Sequence, residues 1–143
     1  MRTIICSGYF NPLHVGHIEY LEAARRLGDR LWVIVNSDIQ VALKGSVPFM
    51  TCLDRFRIVN SLKVVDRTFL STDGDRSVCT SLEYAAGIAM SDGPVLFANG
   101  GDATADNVPE AEVCERCGIE AVYGVVPQIM QSSKILEAAG VTG

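Results

Sequence analysis

Short runs of apolar and β-branched residues alternate with longer stretches of helical periodicity along the whole chain, and this alternation constrains the fold more than any other feature. The short runs predict five strands: Thr3–Ser7, Leu31–Asn36, Val64–Leu70, Val95–Ala98 and Ala121–Val125. The longer stretches predict five helices: Val15–Leu27, Cys52–Leu62, Ser77–Met90, Glu110–Cys117 and Ser133–Ala139. Strands that alternate with helices form a parallel sheet with helices on both faces.

The expected fold is therefore α/β: a Rossmann-like, doubly wound sheet of five parallel strands in the order 3-2-1-4-5. Residues 1–143 show no repeat, linker or shift in composition, and we expect them to form a single domain. Asp75 and Asn107 are predicted to cap the third and fourth helices, and Gly28 and Gly118 to end the first and fourth. The crevice of such a sheet opens beyond the carboxyl ends of strands 1 and 4, so the loops there should hold the site.

Composition narrows the class of protein. Hydrophobic residues make up 48% and charged residues 20%, as in ordinary globular domains. The net charge of −5 argues against a nucleic-acid partner, which favours a basic surface. No apolar run approaches the roughly 18 residues of a membrane span, and five scattered cysteines suit reduced thiols. We expect a cytoplasmic protein with no membrane partner, and Cys114 and Cys117 to be half-buried thiols rather than a metal or redox pair.

Both histidines of the chain fall in the loop after the first strand. His14 and His17 stand three residues apart where the first helix begins, with Gly16 between them. Backbone N–H groups at a helix start attract anions, and two imidazoles there add further donors. Gly16 would allow the backbone or a ligand to approach closely. The alternative is that His14 is a turn residue and His17 a packed helical one, at a chance spacing.

The segment Gly8–His17 resembles the signature of the HxGH nucleotidyltransferase superfamily. The resemblance continues through nearly the whole chain and is similar to the cytidylyltransferase-like branch, most densely to glycerol-3-phosphate cytidylyltransferases and heptose-1-phosphate adenylyltransferase domains. The segments that carry it are Gly28–Leu31, Val35–Asp38, Lys44–Gly45, Pro48, Asp54–Arg55, Ile58–Val59, Val65–Asp66, Asn99–Asp102 and Gln131–Ile135.

Three departures from that branch concern the base and the acceptor. Asn11 stands where the branch usually has Asp, Pro127-Gln128 occupy a stretch where many cytidylyltransferases carry Arg, and Gln131 replaces the first hydroxyl of the Ser/Thr turn.

The resemblance implies catalytic roles for His14, His17 and Lys44, which would stabilise charge on phosphoryl oxygens. It implies nucleotide or phosphate binding by a second set: Tyr9, Phe10, Asn11, Gly16, Arg55, Asn99, Gly100, Asp102, Ser132 and Ser133. Simpler structural roles stay open for several of them. Lys44 could be a solvated loop residue and Arg55 could pair with Asp54.

Further structural alternatives concern the two later loops. Asn99–Asp102 could be a plain glycine turn, and Ser132 or Ser133 could cap the last helix.

The implied activity is transfer of CMP from CTP to a small phosphorylated or phosphonylated alcohol, with release of pyrophosphate. An adenylyltransferase that uses ATP and a sugar-phosphate or similar acceptor is the first alternative, and a non-catalytic nucleotide-binding regulatory domain is the second. Mg²⁺ is the expected cofactor, held mainly by the triphosphate, with Asp38 as a candidate helper or an ordinary turn residue. The resemblance also implies a homodimer.

Overall fold

The structure, a computed structural model, describes residues 1–101 and 103–125. These residues form one sheet of five parallel strands in the order β3-β2-β1-β4-β5, which confirms the predicted topology. The strands are β1 Thr3–Gly8, β2 Arg30–Val35, β3 Arg67–Leu70, β4 Val95–Gly100 and β5 Glu120–Val125. The helices are α1 Val15–Arg25, α2 Asp38–Leu43, α3 Cys52–Asn60, α4 Cys79–Ala89 and α5 Ala111–Cys117, with a 3-10 turn at Met90–Asp92.

Alternate residues of each central strand face opposite layers of the core. In β1, Ile4 and Cys6 pack on the side covered by α1 and α3, whereas Ile5 packs on the side covered by α4 and α5. All three side chains are fully buried, so β1 is covered on both faces, as expected for the centre of a parallel sheet. None of the helices among the described residues is both long and apolar enough to cross a membrane.

β1 stays paired with one neighbour along its whole length but with the other only at its start. β1 pairs with β2 along its whole length, from Thr3 to Gly8. Its pairing with β4 stops after Ile5 and Phe97. β1 and β4 therefore stop pairing before their carboxyl ends, as a crevice between the following loops would require, and the loop after β1 leads directly into α1.

Helix α2 was not predicted from the sequence. Six residues are too few to show helical periodicity. A capping signal was nevertheless present, because the Ser37 hydroxyl accepts from the backbone N–H of Gln40 while the Gln40 side chain accepts from the backbone N–H of Ser37. This short helix ends at Leu43, and Lys44, its C-cap, lines a cavity beyond the carboxyl end of β1.

The predicted caps of the third and fourth helices are wrong. Helix α4 begins at Cys79, so it is Asp73 that accepts from the backbone N–H groups of Thr80 and Ser81, while Asp75 accepts from Ser77. Helix α5 begins at Ala111, four residues after Asn107. The Asn107 side chain instead accepts from the backbone N–H of Thr104.

Of the predicted helix ends, Gly118 is confirmed, in the left-handed conformation with φ 73°. Helix α1 ends at Arg25, short of Gly28. The predicted helix Ser133–Ala139 lies outside the described residues.

Two glycines offer a matched test of the backbone. Gly93 has φ 141°, and a Cβ there would lie 2.3 Å from the carbonyl oxygen of Met1, whereas Gly87 lies on the exposed face of α4 with nothing near it. We expect Gly93→Ala to lower the free energy of unfolding by at least about 1–3 kcal/mol. Gly87→Ala should raise it by about 0.5–1 kcal/mol, because alanine favours the helix. Urea unfolding of both variants measures this, and equal stability for the two would contradict the assigned backbone geometry.

Candidate active site

A cavity of about 430 Å³ lies beyond the carboxyl end of β1, between the following loop and the end of α2. Its lining contains seven residues of the β1–α1 segment and three of the α2 segment: Gly8, Tyr9, Phe10, Asn11, Pro12, His14, His17, Val41, Lys44 and Ser46. The three predicted catalytic residues therefore line one cavity.

His14 and His17 begin α1 and bond to its backbone in a reciprocal way. The backbone N–H of Gly16 donates to Nδ1 of His14 over 3.0 Å, and the backbone N–H of His14 donates to Nδ1 of His17 over 3.1 Å. The two rings stack with their centres 3.8 Å apart. The histidines thus do what Ser and Glu do in an ordinary capping box, and the first turn of the helix holds both rings.

These bonds fix where the imidazole protons lie. A neutral imidazole has one N–H donor and one acceptor nitrogen. Since Nδ1 of both His14 and His17 accepts from the backbone, the neutral form of each carries its proton on Nε2. The cavity is consequently lined by two rings whose free nitrogens are hydrogen-bond donors.

The environment of His17 keeps its ring neutral. Burial, followed by the nearby charges of His14 and Lys44, lowers the pKa of His17 from 6.5 to about 4. At neutral pH the ring therefore supplies a fixed N–H dipole rather than a positive charge. Phe10 packs edge-on against it, with ring centres 5.1 Å apart.

Gly16 and Phe10 both shape the site. A Cβ on Gly16 would lie 2.8 Å from Cε1 of His14, so the missing side chain makes room for the His14 ring. Phe10 is 2% exposed and has φ 50°, an unfavourable conformation for a bulky residue. Its ring packs in the core and also lines the cavity.

Lys44 and Tyr9 also line the cavity and contact each other. The Lys44 ammonium lies 4.4 Å from the centre of the Tyr9 ring, a cation–π contact. No carboxylate among the described residues forms an ion pair with Lys44. An anion entering the cavity would meet an ammonium that is already oriented.

Arg55 was expected to bind phosphate, but it does not line the cavity. Its side chain is fully buried and donates to the carbonyl oxygens of Tyr9, Asn36 and Met50. Its fourth bond is an ion pair with Asp38 at 2.7 Å. Neither direct phosphate binding nor the expected pair with Asp54 matches this geometry. Arg55 thus joins the loops after β1 and β2 to the segment before α3. The spacing of residues along the sequence does not reveal this role.

Asp38 is the first residue of α2 rather than a turn residue. Partial burial by itself would raise the pKa of Asp38, but hydrogen bonds from Arg55 and the backbone N–H of Cys52 outweigh it and lower the pKa. Among the described residues no group of three or more His, Cys, Asp or Glu could hold a metal ion.

The remaining predicted residues belong to later segments. Asn99 and Gly100 end β4 but do not line the cavity. A Cβ on Gly100 would lie 3.0 Å from the carbonyl oxygen of Val125, so this glycine permits close packing of β5. Nδ2 of Asn99 is buried and has no hydrogen-bond partner in the described part of the chain. Asp102, Ser132 and Ser133 lie outside it.

The low pKa of His17 makes stability depend on pH. Between pH 6.5 and 4 the His17 imidazole takes up a proton in the unfolded chain but stays neutral in the folded protein. The free energy of unfolding therefore decreases as the pH falls through this range. His17→Asn keeps an acceptor near the Nδ1 position but does not titrate there. We expect the stability of the wild type relative to this variant to fall by about 1 kcal/mol between pH 7.5 and 5, after allowance for partial exposure. Urea unfolding at both pH values measures the difference, and a constant difference would show that His17 is not held neutral.

The chain is similar to known proteins of one family. Residues 5–137 match the family described as cytidylyltransferase-like. The bifunctional protein HldE of Methylobacillus flagellatus is 38% identical over 141 residues, which cover 96% of this chain and 27% of that protein. An FAD synthase of Thermoplasma volcanium is 39% identical over 75 residues, which cover 52% of this chain and 53% of that protein.

A solved structure supports the fold. It is that of the lipopolysaccharide core biosynthesis protein of Thermoplasma volcanium, with a TM-score of 0.65 and 27% identity over 88% of this chain and 96% of that one. The matched segments span about half of the FAD synthase and about a quarter of HldE. With two donor imidazoles at the start of α1, a sheet of the predicted order and a family match over nearly its whole length, the chain belongs to the cytidylyltransferase-like family of HxGH nucleotidyltransferases.

Proposed function

We propose that this protein transfers a nucleoside monophosphate from a nucleoside triphosphate to a phosphate or phosphonate group of a small acceptor. The observation that carries the proposal is the pair of imidazoles whose Nδ1 atoms are both occupied by backbone N–H groups. Both Nε2–H groups are then available to phosphoryl oxygens at a helix start, where backbone dipoles already favour negative charge.

The reaction needs alignment and charge stabilisation more than proton transfer. An acceptor oxygen forms a bond to the α-phosphorus, the bond from that phosphorus to the bridging oxygen breaks, and pyrophosphate leaves with the electron pair. The Nε2–H groups of His14 and His17 donate to the oxygens that gain charge, and Lys44 adds a cation in the same cavity. Mg²⁺ would be bound chiefly by triphosphate oxygens and would neutralise part of their charge.

Each histidine can be tested without losing its role as a helix cap. We expect His14→Asn and His17→Asn to keep an acceptor near the Nδ1 position but to lose the Nε2–H donor, and to lower kcat about 10²–10³-fold each. The measurement is steady-state pyrophosphate release, with thermal unfolding as the control for folding. Near-normal turnover in a folded variant would remove that histidine from the chemistry.

The donor base has two candidates. FAD contains an adenylyl group, so the relatives named FAD synthase favour ATP as the donor. The family description and the resemblance of the sequence favour CTP. We propose ATP first, with CTP as the second candidate.

A panel of triphosphates and acceptors decides between the donors. The panel pairs ATP, CTP, GTP and UTP with FMN, glycerol 3-phosphate, a heptose 1-phosphate and a hydroxyalkylphosphonate. For the acceptor that supports turnover, we expect kcat/KM, measured by pyrophosphate release, to be higher with ATP than with CTP. A preference for CTP would establish the cytidylyl alternative, and no release with any pair would favour a non-catalytic binding domain.

The acceptor is expected to attack through an oxygen that is already ionised. None of the described residues that line the cavity is a base suited to deprotonating an alcohol, because Nδ1 of both histidines is occupied and His17 has a low pKa. A phosphate monoester has its second pKa near about 6 and needs no such base. With the acceptor below saturation, we expect the rate to rise as the pH passes through the second pKa of the acceptor.

An acceptor analogue with a different second pKa provides the control for this pH dependence. The rising limb should move with the analogue's pKa. A limb that stays in place, or product NMR that shows the nucleotidyl group on a carbon-bound hydroxyl, would contradict the mechanism.

A further inference from the structure

One wall of the cavity is continuous with an exposed segment that has little packing of its own. Residues 45–50 connect α2 to α3 without regular secondary structure, and they follow Lys44 directly. Ser46 of this segment lines the cavity. The side chains of Val47 and Phe49 are 77% and 79% exposed, so burial in the core does not hold the segment in place.

Asn11 holds the middle of this segment with both ends of its amide. Its Nδ2 donates to the carbonyl oxygen of Val47 over 3.0 Å, and its Oδ1 accepts from the backbone N–H of Phe49 over 2.7 Å. Arg55 adds one bond, to the carbonyl oxygen of Met50. Within the described ranges, residues 47–50 make no other hydrogen bond.

This pair of hydrogen bonds needs a side chain that both donates and accepts, as an amide does. Asn offers one donor and one acceptor, which match the carbonyl of Val47 and the N–H of Phe49. An ionised Asp could still accept from Phe49, but it would place negative charge against the Val47 carbonyl. An amide at position 11 therefore fits both partners, whereas an ionised carboxylate fits only one.

We propose that Asn11 is a positioning residue that sets the Lys44–Ser46 wall of the cavity by clamping residues 47–49, rather than a residue that binds the nucleotide. The clamp joins the loop that carries the histidines to the segment that follows Lys44. It thereby fixes the distance across the cavity between the imidazole donors and the ammonium. This inference rests on the proposed function only in that the cavity is taken to bind a triphosphate.

The test compares Asn11→Asp and Asn11→Ala with Asn60→Asp, which makes the same charge change on an exposed residue at the end of α3. Calorimetry with Mg-ATP and Mg-CTP measures the Kd of each protein, and hydrogen exchange measures the backbone amides of residues 46–50. We expect the Kd of whichever triphosphate the wild type binds to rise about 10–100-fold in both Asn11 variants, at unchanged fraction folded, and to stay near the wild-type value in Asn60→Asp. In Asn11→Ala the amide of Phe49 should exchange faster.

A pH series separates positioning from a general loss of stability. In Asn11→Asp a protonated carboxyl can again donate to the Val47 carbonyl, so its affinity relative to the wild type should recover only as the pH falls from 6 towards about 4, where an Asp carboxyl ordinarily takes up its proton. The affinity of Asn60→Asp relative to the wild type should stay constant.

Wild-type Kd values in both Asn11 variants, or unchanged exchange at Phe49 in Asn11→Ala, would overturn the clamp and leave the proposed function intact. If the wild type binds no triphosphate, the proposed function fails instead, and the exchange of residues 46–50 then decides whether the clamp exists.

Discussion

The reciprocal hydrogen bonds between the backbone and the two imidazoles at the start of α1 are the interaction on which the site depends. They satisfy N–H groups that a helix start would otherwise leave unpaired, and in doing so they decide which nitrogen of each ring is free. Folding and chemistry therefore use the same atoms. Protonation of Nδ1 in either ring would remove a helix cap and would also alter the charge presented to a phosphate. The low pKa of His17 favours the neutral form in which both tasks are performed.

The order of the strands brings the loops together, and a buried network of hydrogen bonds fixes their positions relative to one another. Arg55 donates to the loop after β1 through Tyr9 and to the loop after β2 through Asn36. Gln40, also fully buried, accepts from Asn36 and donates to the carbonyl oxygens of Asp75 and Ser77 in the loop after β3. A buried guanidinium is stable only when its donors are satisfied, so loss of an acceptor would leave an uncompensated charge in the core. The network thus couples the shape of the cavity to the stability of the domain.

Much of this fold could be predicted because it follows from periodicity. Apolar runs separated by helical stretches gave the five strands and, with the handedness of crossovers, their order. Elements that depend on one or two turns were less visible. Helix α2 is too short for periodicity to detect, and the caps of α4 and α5 moved because each helix begins later than its pattern suggested.

The same distinction applies to the site. The resemblance implied a shared catalytic role for His14, His17 and Lys44, and the three residues do line one cavity. Arg55 and Asn11 were assigned to the nucleotide on the basis of the resemblance. Asn11 instead bonds to the backbone of Val47 and Phe49, and Arg55 bonds to the backbone of Tyr9 and Asn36. These partners lie 19 to 46 residues away along the chain, so the pairings cannot be read from the spacing of the sequence.

The tautomeric state of the two histidines tests the proposed chemistry most directly. The chain contains only these two imidazoles, so a long-range ¹H–¹⁵N NMR spectrum of the labelled protein reports both without mutation. At pH 8 we predict that each ring carries its proton on Nε2 and has an unprotonated Nδ1. On lowering the pH, the His17 ring should remain neutral at pH 5.5 and become protonated near pH 4. A proton on Nδ1 of either ring at pH 8, or a positively charged His17 at pH 5.5, would contradict the arrangement from which the proposed chemistry follows.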